Sequence, residues 1–328
     1  METQLAIPPS ITIGKKLGKG QSGEVYEGSF VDPRDNKLYE PVAIKVIKLL
    51  SIFPSLVEKQ REEVRIVQSI LNSNALQEDT FEDIPIVRIY SHIEFNDNLF
   101  VIMEKSDGDG ELFQQIIDKL KQDNKYYKVY ELIYKNLIQL CKGLNVIHTN
   151  CVIHRDIKPA NLLFNKKSKK LKLSDFGMSC FHKKCKGLAG TPNFIDPICF
   201  LEEKLNKKLK YENKPVKCVI NQWSDIYSLG ISFYYLLTGN RLLNKMPNSD
   251  KEYLDLLQNA SEKLNEYEGL SKEWKILVTC IQHMISLFPQ DRPTPIQCID
   301  YLTNGKEEDL TSKNPRLEYF QKSSSCKN

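Results

Sequence analysis

Long apolar runs are missing: nowhere in the 328 residues do 18 apolar residues follow one another, so no stretch reads as a membrane span. Met1 to Ser10 has no charged region followed by an apolar one, which argues against a secretory signal. Cysteine is absent before Cys141, and the nine cysteines that follow are odd in number. Without a secretory signal, that usage fits a reducing intracellular compartment, cytoplasmic or nuclear, with unpaired thiols. Charge of one sign is scarce too. The 46 Lys plus Arg against 42 Asp plus Glu leave 46 − 42 = +4, too little to indicate a nucleic-acid or membrane partner. No internal repeat is evident. What the chain does have is length, which suggests about two domains and lets it bury about three quarters of its unfolded surface without metal or disulfide staples.

Residues 11 to 103 alternate like strands, whereas 111 to 150 and 224 to 304 carry helical periodicity. Short β-like runs are expected at Ile11 to Leu17, Glu24 to Phe30, Val42 to Ile47, Ile86 to Ser91 and Leu99 to Met103. One helix interrupts them, from about Leu56 to Leu71, with a capping-box pattern at Ser55 and Glu58. Further on, Ile133, Leu137, Leu140, Leu144 and Ile147 step by four, three, four and three, the stripe of a buried helix. Leu162 to Phe164 and Leu171 to Leu173 flank a Lys-rich turn as a hairpin, and Ser224 to Leu237 is a second apolar helix. The Lys-rich stretch from Glu202 to Lys217 reads as a solvated insertion, and Gly305 to Asn328 as a polar, mobile tail.

Three glycines, Gly18, Gly20 and Gly23, fall within six positions. Without Cβ atoms, a loop between two strands can bring its amides against phosphate oxygens, although one such cluster could equally be a hairpin turn. Strands on both sides argue against the dinucleotide fold, in which a helix follows directly. A single lysine, Lys45, then breaks the apolar run from Val42 to Ile47 and shares a strand face with Ala43 and Ile47. Its charge needs an anionic partner if it is buried. Glu63 lies on the helical face of Ile66, Val67 and Ile70, whereas Glu62 shares its face with Arg65 and Ser69, so Glu63 is the inward carboxylate.

His154-Arg155-Asp156, followed by Lys158 and Asn161, precedes Asp175-Phe176-Gly177 by 19 residues counted from Asp156. With the glycine loop, the strand lysine, the helix glutamate and the late run from Phe288 to Pro293 in the same order, the chain resembles the eukaryotic protein kinase family from about Ile11 to Leu302. The resemblance implies an α+β, bilobal protein-kinase-like fold: an N-terminal extension over 1–10, a small β-rich N-lobe with one main helix over 11–104, a larger, mostly helical C-lobe over 105–304, and a tail over 305–328. It implies ATP and Mg²⁺ as cofactors and transfer of the γ-phosphate to protein hydroxyls. Asp156 would orient the acceptor hydroxyl, Lys158 steady the γ-phosphate, Lys45 held by Glu63 pair the α- and β-phosphates, and Asn161 and Asp175 bind the metal. ATP would lie against Leu17, Gly18, Lys19, Gly20, Gln21, Ser22, Gly23, Val25, Ala43, Leu163 and Met103, with Glu104 and Lys105 supplying backbone hydrogen bonds. Asp225 matches the aspartate that braces the catalytic-loop backbone, a role compatible with an ordinary first-turn helix acid.

Lys158 and Gly190-Thr191-Pro192 point to the serine/threonine class, with a dual-specificity enzyme and a catalytically weak scaffold as alternatives. The scaffold reading predicts a loss among Lys45, Glu63, Asp156, Asn161 and Asp175, all of which are present. A small-molecule phosphotransferase would not be expected to carry Thr191 and its neighbours. Met178 favours serine over threonine acceptors. Glu111 resembles an acid that receives upstream arginines, while Ala160 replaces the usual second acid, so acidic substrates are expected to be drawn by Lys183, Lys184 and Lys186. A monomer is expected. The family's Ala-Pro-Glu reads Asp196-Pro197-Ile198, so Arg292 lacks its usual glutamate, and Glu202 or Glu203 is expected to substitute. Cys180, His182, Cys185 and Cys199 could form a zinc site or a redox pair, but they lack the spacing of strong zinc sites, and unpaired cysteines are the expected state.

Overall fold

The computed structural model describes residues 5–19, 23–49, 54–72, 85–181, 185, 189–197, 221–243 and 250–311. It divides into two compact units, Met1–Gln77 with Ile86–Asp107, and Glu78–Pro85 with Gly108–Asn328. The last change of unit along the chain falls between Asp107 and Gly108.

The first unit is an antiparallel five-stranded sheet in the order β1-β2-β3-β5-β4. The strands are β1 (Ile11–Lys19), β2 (Glu24–Val31), β3 (Leu38–Lys48), β4 (Ile89–Phe95) and β5 (Asn98–Glu104), with helix α1 (Pro54–Leu71) between β3 and β4 in sequence. The continuous apolar run in β3 reflects burial on both faces. Val42, Ile44 and Val46 pack with Ile11, Phe30, Phe100 and Ile102. Ile47 packs instead with Leu99, Val101 and Val64 of α1. β3 starts four residues before the expected Val42, because Leu38 and Tyr39 pair with Val31 and Phe30 of β2. β4 starts at Ile89 rather than Ile86; Ile86 and Val87 are buried but precede the paired stretch. α1 opens on Pro54, whose missing amide hydrogen costs nothing at a first helical position. Ser55 falls within the helix span, and Glu58 pairs with Arg61 and Arg65.

The second unit is mostly helical. Its elements are α2 (Gly110–Gln122), α3 (Tyr126–Thr149), β6 (Val152–Ile153), β7 (Leu162–Asn165), β8 (Lys170–Leu173), β9 (Cys180–Phe181), α4 (Gln222–Thr238), α5 (Asp250–Glu268), α6 (Lys272–Met284), α7 (Pro295–Asn304) and α8 (Glu308–Thr311). The α3 stripe predicted from spacing is fully buried. β7 and β8 form the expected hairpin. α4 runs through the core, capped by Asn221 at its start and ended by Gly239 at φ 73°. The tail differs from expectation at its start: Gly305 ends α7 in a left-handed conformation, and Leu310 of α8 is fully buried. Residues 312–328 and the insertion from Glu202 to Lys217 lie outside the described residues. Among the described residues, no helix is long and apolar enough to cross a membrane.

Candidate active site

In the first unit, the alternation of β3 turns Lys45 toward α1, where the register of the buried Ile66, Val67 and Ile70 presents Glu63. Lys45 Nζ lies 3.3 Å from Glu63 Oε2 and 3.5 Å from Oε1, the pairing expected from sequence. Sheet register sets Val25 opposite Lys45 and Ala43 opposite Met103. The Glu104 amide is already donated to Arg88 O at 2.9 Å, and the Lys105 ammonium reaches Glu27 Oε2 at 3.0 Å. At the glycine turn, Leu17, Gly18 and Lys19 complete β1 and Gly23 precedes β2; Gly20, Gln21 and Ser22 lie outside the described residues. A Cβ on Gly23 would meet Val46 O at 2.3 Å, so the sheet itself requires glycine there. A Cβ on Gly18 would meet nothing within 4 Å, leaving the face of that residue open.

In the second unit, the loop after β6 is hung from one buried carboxylate. Asp225, in the first turn of α4, accepts from the amides of His154 at 2.8 Å and Arg155 at 2.9 Å. It also bonds His148 Nε2 of α3 at 2.9 Å, a partner that sequence reasoning missed. Burial alone would raise the Asp225 pKa; the His148 hydrogen bond, the charges of His148 and His154 and the Arg155 amide outweigh it and hold the carboxyl below its usual range. Arg155 and Asp175 both adopt left-handed φ angles, 70° and 59°, strained for such residues and tolerated where neighbours fix them.

Asp156 sits at the centre of this loop. Its Oδ1 accepts from the Thr191 hydroxyl at 2.8 Å, and its Oδ2 accepts from Lys158 Nζ at 2.8 Å and Asn161 Nδ2 at 3.1 Å. Lys158 also donates to Thr191 Oγ1 at 2.7 Å, closing a ring of three side chains. Gly190 makes the approach of Thr191 feasible: its φ is 113°, and a Cβ there would lie 2.5 Å from Arg155 O. Asn161 Nδ2 additionally donates to Asp156 O at 2.8 Å, and among the described residues its amide oxygen makes no hydrogen bond. Asp175 is exposed and accepts from the Gly177 amide at 3.4 Å. Two oxygen donors of this kind suit a hard divalent cation that takes its remaining ligands from phosphates and water. Leu163 is half-buried in β7.

Two expectations are corrected. Arg292 does have a carboxylate partner, and it is Asp196. The guanidinium donates to Asp196 Oδ2 at 2.5 Å and Oδ1 at 2.9 Å, and to the carbonyls of Ser286, Leu287 and Trp223. All five N–H groups are thereby used. Asp196 stands two positions before the vacant Ile198, so the signal lay inside the altered motif itself rather than downstream at Glu202 or Glu203, which fall outside the described residues. Secondly, Cys180 and Cys185 are joined by a disulfide and Cys151 is disulfide-bonded too, so cysteine usage no longer argues for a reducing compartment. Among the described residues, no cluster of three or more His, Cys, Asp or Glu is arranged to hold a metal.

A family model described as protein kinase domain matches residues 11–302. Among curated proteins, myosin light chain kinase 3 of Pongo abelii is 27% identical over 95% of this chain and 34% of its own length. An Aurora kinase of Schizosaccharomyces pombe is 30% identical over 69% of this chain and 54% of its own. A probable myosin light chain kinase of Dictyostelium discoideum is 26% identical over 92% of this chain and 76% of its own. The chain spans about a third of the length of the myosin light chain kinase 3 relatives it matches.

Proposed function

The chain belongs to the protein kinase family, and on that premise we propose that it transfers the γ-phosphate of ATP to serine and threonine hydroxyls of protein substrates. The observation that carries this reading is the Asp156 carboxylate, held by Thr191, Lys158 and Asn161. A carboxylate fixed by three donors can orient an acceptor hydroxyl and take its proton without reorganising. Lys158 lies beside it as a positive charge for the transferring group. Lys45 supplies charge for the α- and β-phosphates, with Glu63 fixing its direction. Gly18, with Lys19 and Gly23, offers backbone amides to phosphate oxygens, and Val25, Ala43 and Met103 offer apolar surface to adenine. Since the Glu104 amide is engaged, the Lys105 backbone is the hinge donor to test. The Asn161 and Asp175 oxygens fit Mg²⁺. When bound, the ion neutralises phosphate charge and ATP provides the group transferred.

Acceptor preference follows from the same chain. Met178, after Asp175-Phe176-Gly177, favours serine over threonine. Glu111 Oε2 accepts from the Tyr235 hydroxyl at 2.5 Å, so this acid is already engaged, and Ala160 supplies none. Upstream arginine is therefore weakly selected, and acidic or phosphorylated flanks are favoured. Ser179 and Thr191 are the hydroxyl residues between Asp175 and Ile198, and both are hydrogen-bonded within the loop. Protein treated with phosphatase should keep measurable activity, acting as a monomer. Transfer from radiolabelled ATP to peptide libraries, run beside Asp156→Asn, tests the whole reading. Label incorporation by wild type that the variant lacks supports it, and equal incorporation by both overturns it.

A further inference from the structure

The segment that follows Phe176 carries a covalent feature that the transfer chemistry does not use. Cys180 and Cys185, five positions apart with Cα atoms separated by 5.4 Å, are joined by a disulfide. Cys180 belongs to β9, which pairs with β6 through Val152 with Phe181 and Ile153 with Cys180. β6 runs directly into His154, Arg155 and Asp156. Two further contacts tie the bridge to that loop: Arg155 Nη1 lies 3.3 Å from Cys180 Sγ, and the Ser179 hydroxyl donates to His154 O at 3.2 Å. Both cysteines are half-buried, within reach of a small reagent. Neither hydroxyl of the segment can take a phosphate without giving up a bond to the catalytic loop, whereas a thiol pair can be closed and opened in place.

We propose that Cys180 and Cys185 form an oxidation site that controls this enzyme. The closed bridge holds β9 on β6 and favours the assembled arrangement around Asp156, and the open dithiol releases it. The effect on turnover rests on the kinase reading above; the bridge chemistry does not. With a hydroperoxide as oxidant, the Cys180 thiolate, favoured by the adjacent Arg155 guanidinium, attacks a peroxide oxygen. The O–O bond breaks, a sulfenic acid forms, and the departing alkoxide takes up a proton as the alcohol. The Cys185 thiolate then attacks the sulfenic sulfur, the S–S bond forms, and hydroxide leaves as water. Two thiols and one hydroperoxide thus give one disulfide, one alcohol and one water, with two electrons passing from sulfur to oxygen. A dithiol reductant reverses the change: one thiolate opens the bridge as a mixed disulfide, and the second displaces the protein thiol.

Because Cys151 is also disulfide-bonded, the test needs variants as well as reagents. The full chain, with Cys180→Ser and Cys185→Ser beside it, is treated with hydrogen peroxide or dithiothreitol, freed of reagent, and assayed for transfer to peptide. Hydrogen exchange at the Ile153 and Phe181 amides is read in parallel. Oxidised wild type should show about three- to tenfold higher kcat/KM than reduced, the scale of a modest shift between two populated states, with slower exchange at both amides. Both variants should stay at the reduced level under either treatment. Equal activity and equal exchange in the two states of the wild type overturn the proposal, as does a redox response that survives in both variants. If no form shows turnover, exchange still decides. Redox-dependent protection lost in both variants keeps the switch and moves the failure to the kinase reading, and redox-independent protection ends it.

Discussion

Two ion pairs, one in each unit, are built differently. Lys45 and Glu63 meet at 3.3 Å with 15% and 13% of their side chains exposed. Arg292 and Asp196 meet at 2.5 Å with 0% and 2% exposed. Arg292 has spent every donor, on a carboxylate fork and three carbonyls, and its guanidinium lies 5.0 Å over the Tyr227 ring. Nothing is left to offer a ligand, so this pair acts on the fold. Lys45 has three donors and long contacts to one carboxylate, which leaves capacity for another anion. The lesson is that an ion pair's role is read from its unspent hydrogen-bonding capacity rather than from its presence.

Breaking the open pair should give the largest effect. Lys45→Met is expected to lower transfer by about 10²- to 10³-fold, with the melting curve close to wild type, because positioned charge is lost while little packing is. Asp156→Asn and Asp175→Ala should behave in the same way. A Lys45→Met protein that melts early but turns over normally would reverse the distinction between the two pairs.

Breaking the closed pair should do the opposite. Arg292→Met strands Asp196 in the core and should destabilise by about 3 to 5 kcal/mol, measured by urea unfolding. Pairing it with Asp196→Leu removes both charges and should recover most of that loss. Glu202→Gln and Glu203→Gln should leave stability unchanged, since Arg292 has no donor left for either. A loss in either of these variants equal to that of Arg292→Met would count against Asp196 as the working partner.

A third test uses pH. The Asp225 carboxyl titrates lower when folded than when unfolded, so it adds stability above the ordinary carboxylate range, and that contribution fades as pH falls through the folded value. Asp225→Asn should cost roughly 1 to 3 kcal/mol at neutral pH and lose less than wild type on going to about pH 3. Parallel acid profiles for the two proteins would sink this account.

These cases also show what the sequence could disclose. Lys45 and Glu63 were legible because period-two and period-3.6 patterns each force one side chain inward, and a buried lysine demands an acid. The Asp156 loop was legible through motif order. Asp196 was not, because a partner for Arg292 is set by where a turn places a side chain, and that turn leaves no periodic trace. His148 ends an apolar stripe, a position at which one polar residue reads as helix termination; only its 2.9 Å bond to Asp225 reveals the brace. A redox pair among Cys180, Cys185 and Cys199 was an alternative and not the expectation, because pairing depends on Cα distance, which spacing alone does not fix. Strand starts at Leu38 and Ile89 were displaced for a related reason: pairing with a neighbour, not local pattern, decides where a ladder begins.

The smallest expected effect concerns a carboxylate that is engaged but not buried. Tyr235 donates to Glu111 Oε2, and burial together with that carboxylate pushes its phenol up to about 12. The hydroxyl therefore stays protonated, and donating, at any pH used for assay. Tyr235→Phe removes the donor and keeps the ring, which frees Glu111 to meet a basic side chain of a substrate. A solvated ion pair of this kind is worth roughly 0.2 to 1 kcal/mol, a factor of about 1.4 to 5 in kcat/KM. The measurement is the ratio of kcat/KM for two serine peptides that differ by one upstream arginine, compared between wild type and variant. The ratio should rise in Tyr235→Phe and fall back when Glu111→Gln is added. A wild type that already prefers the arginine peptide strongly, or a ratio unmoved by either change, would show that this acid plays no part in choosing substrates.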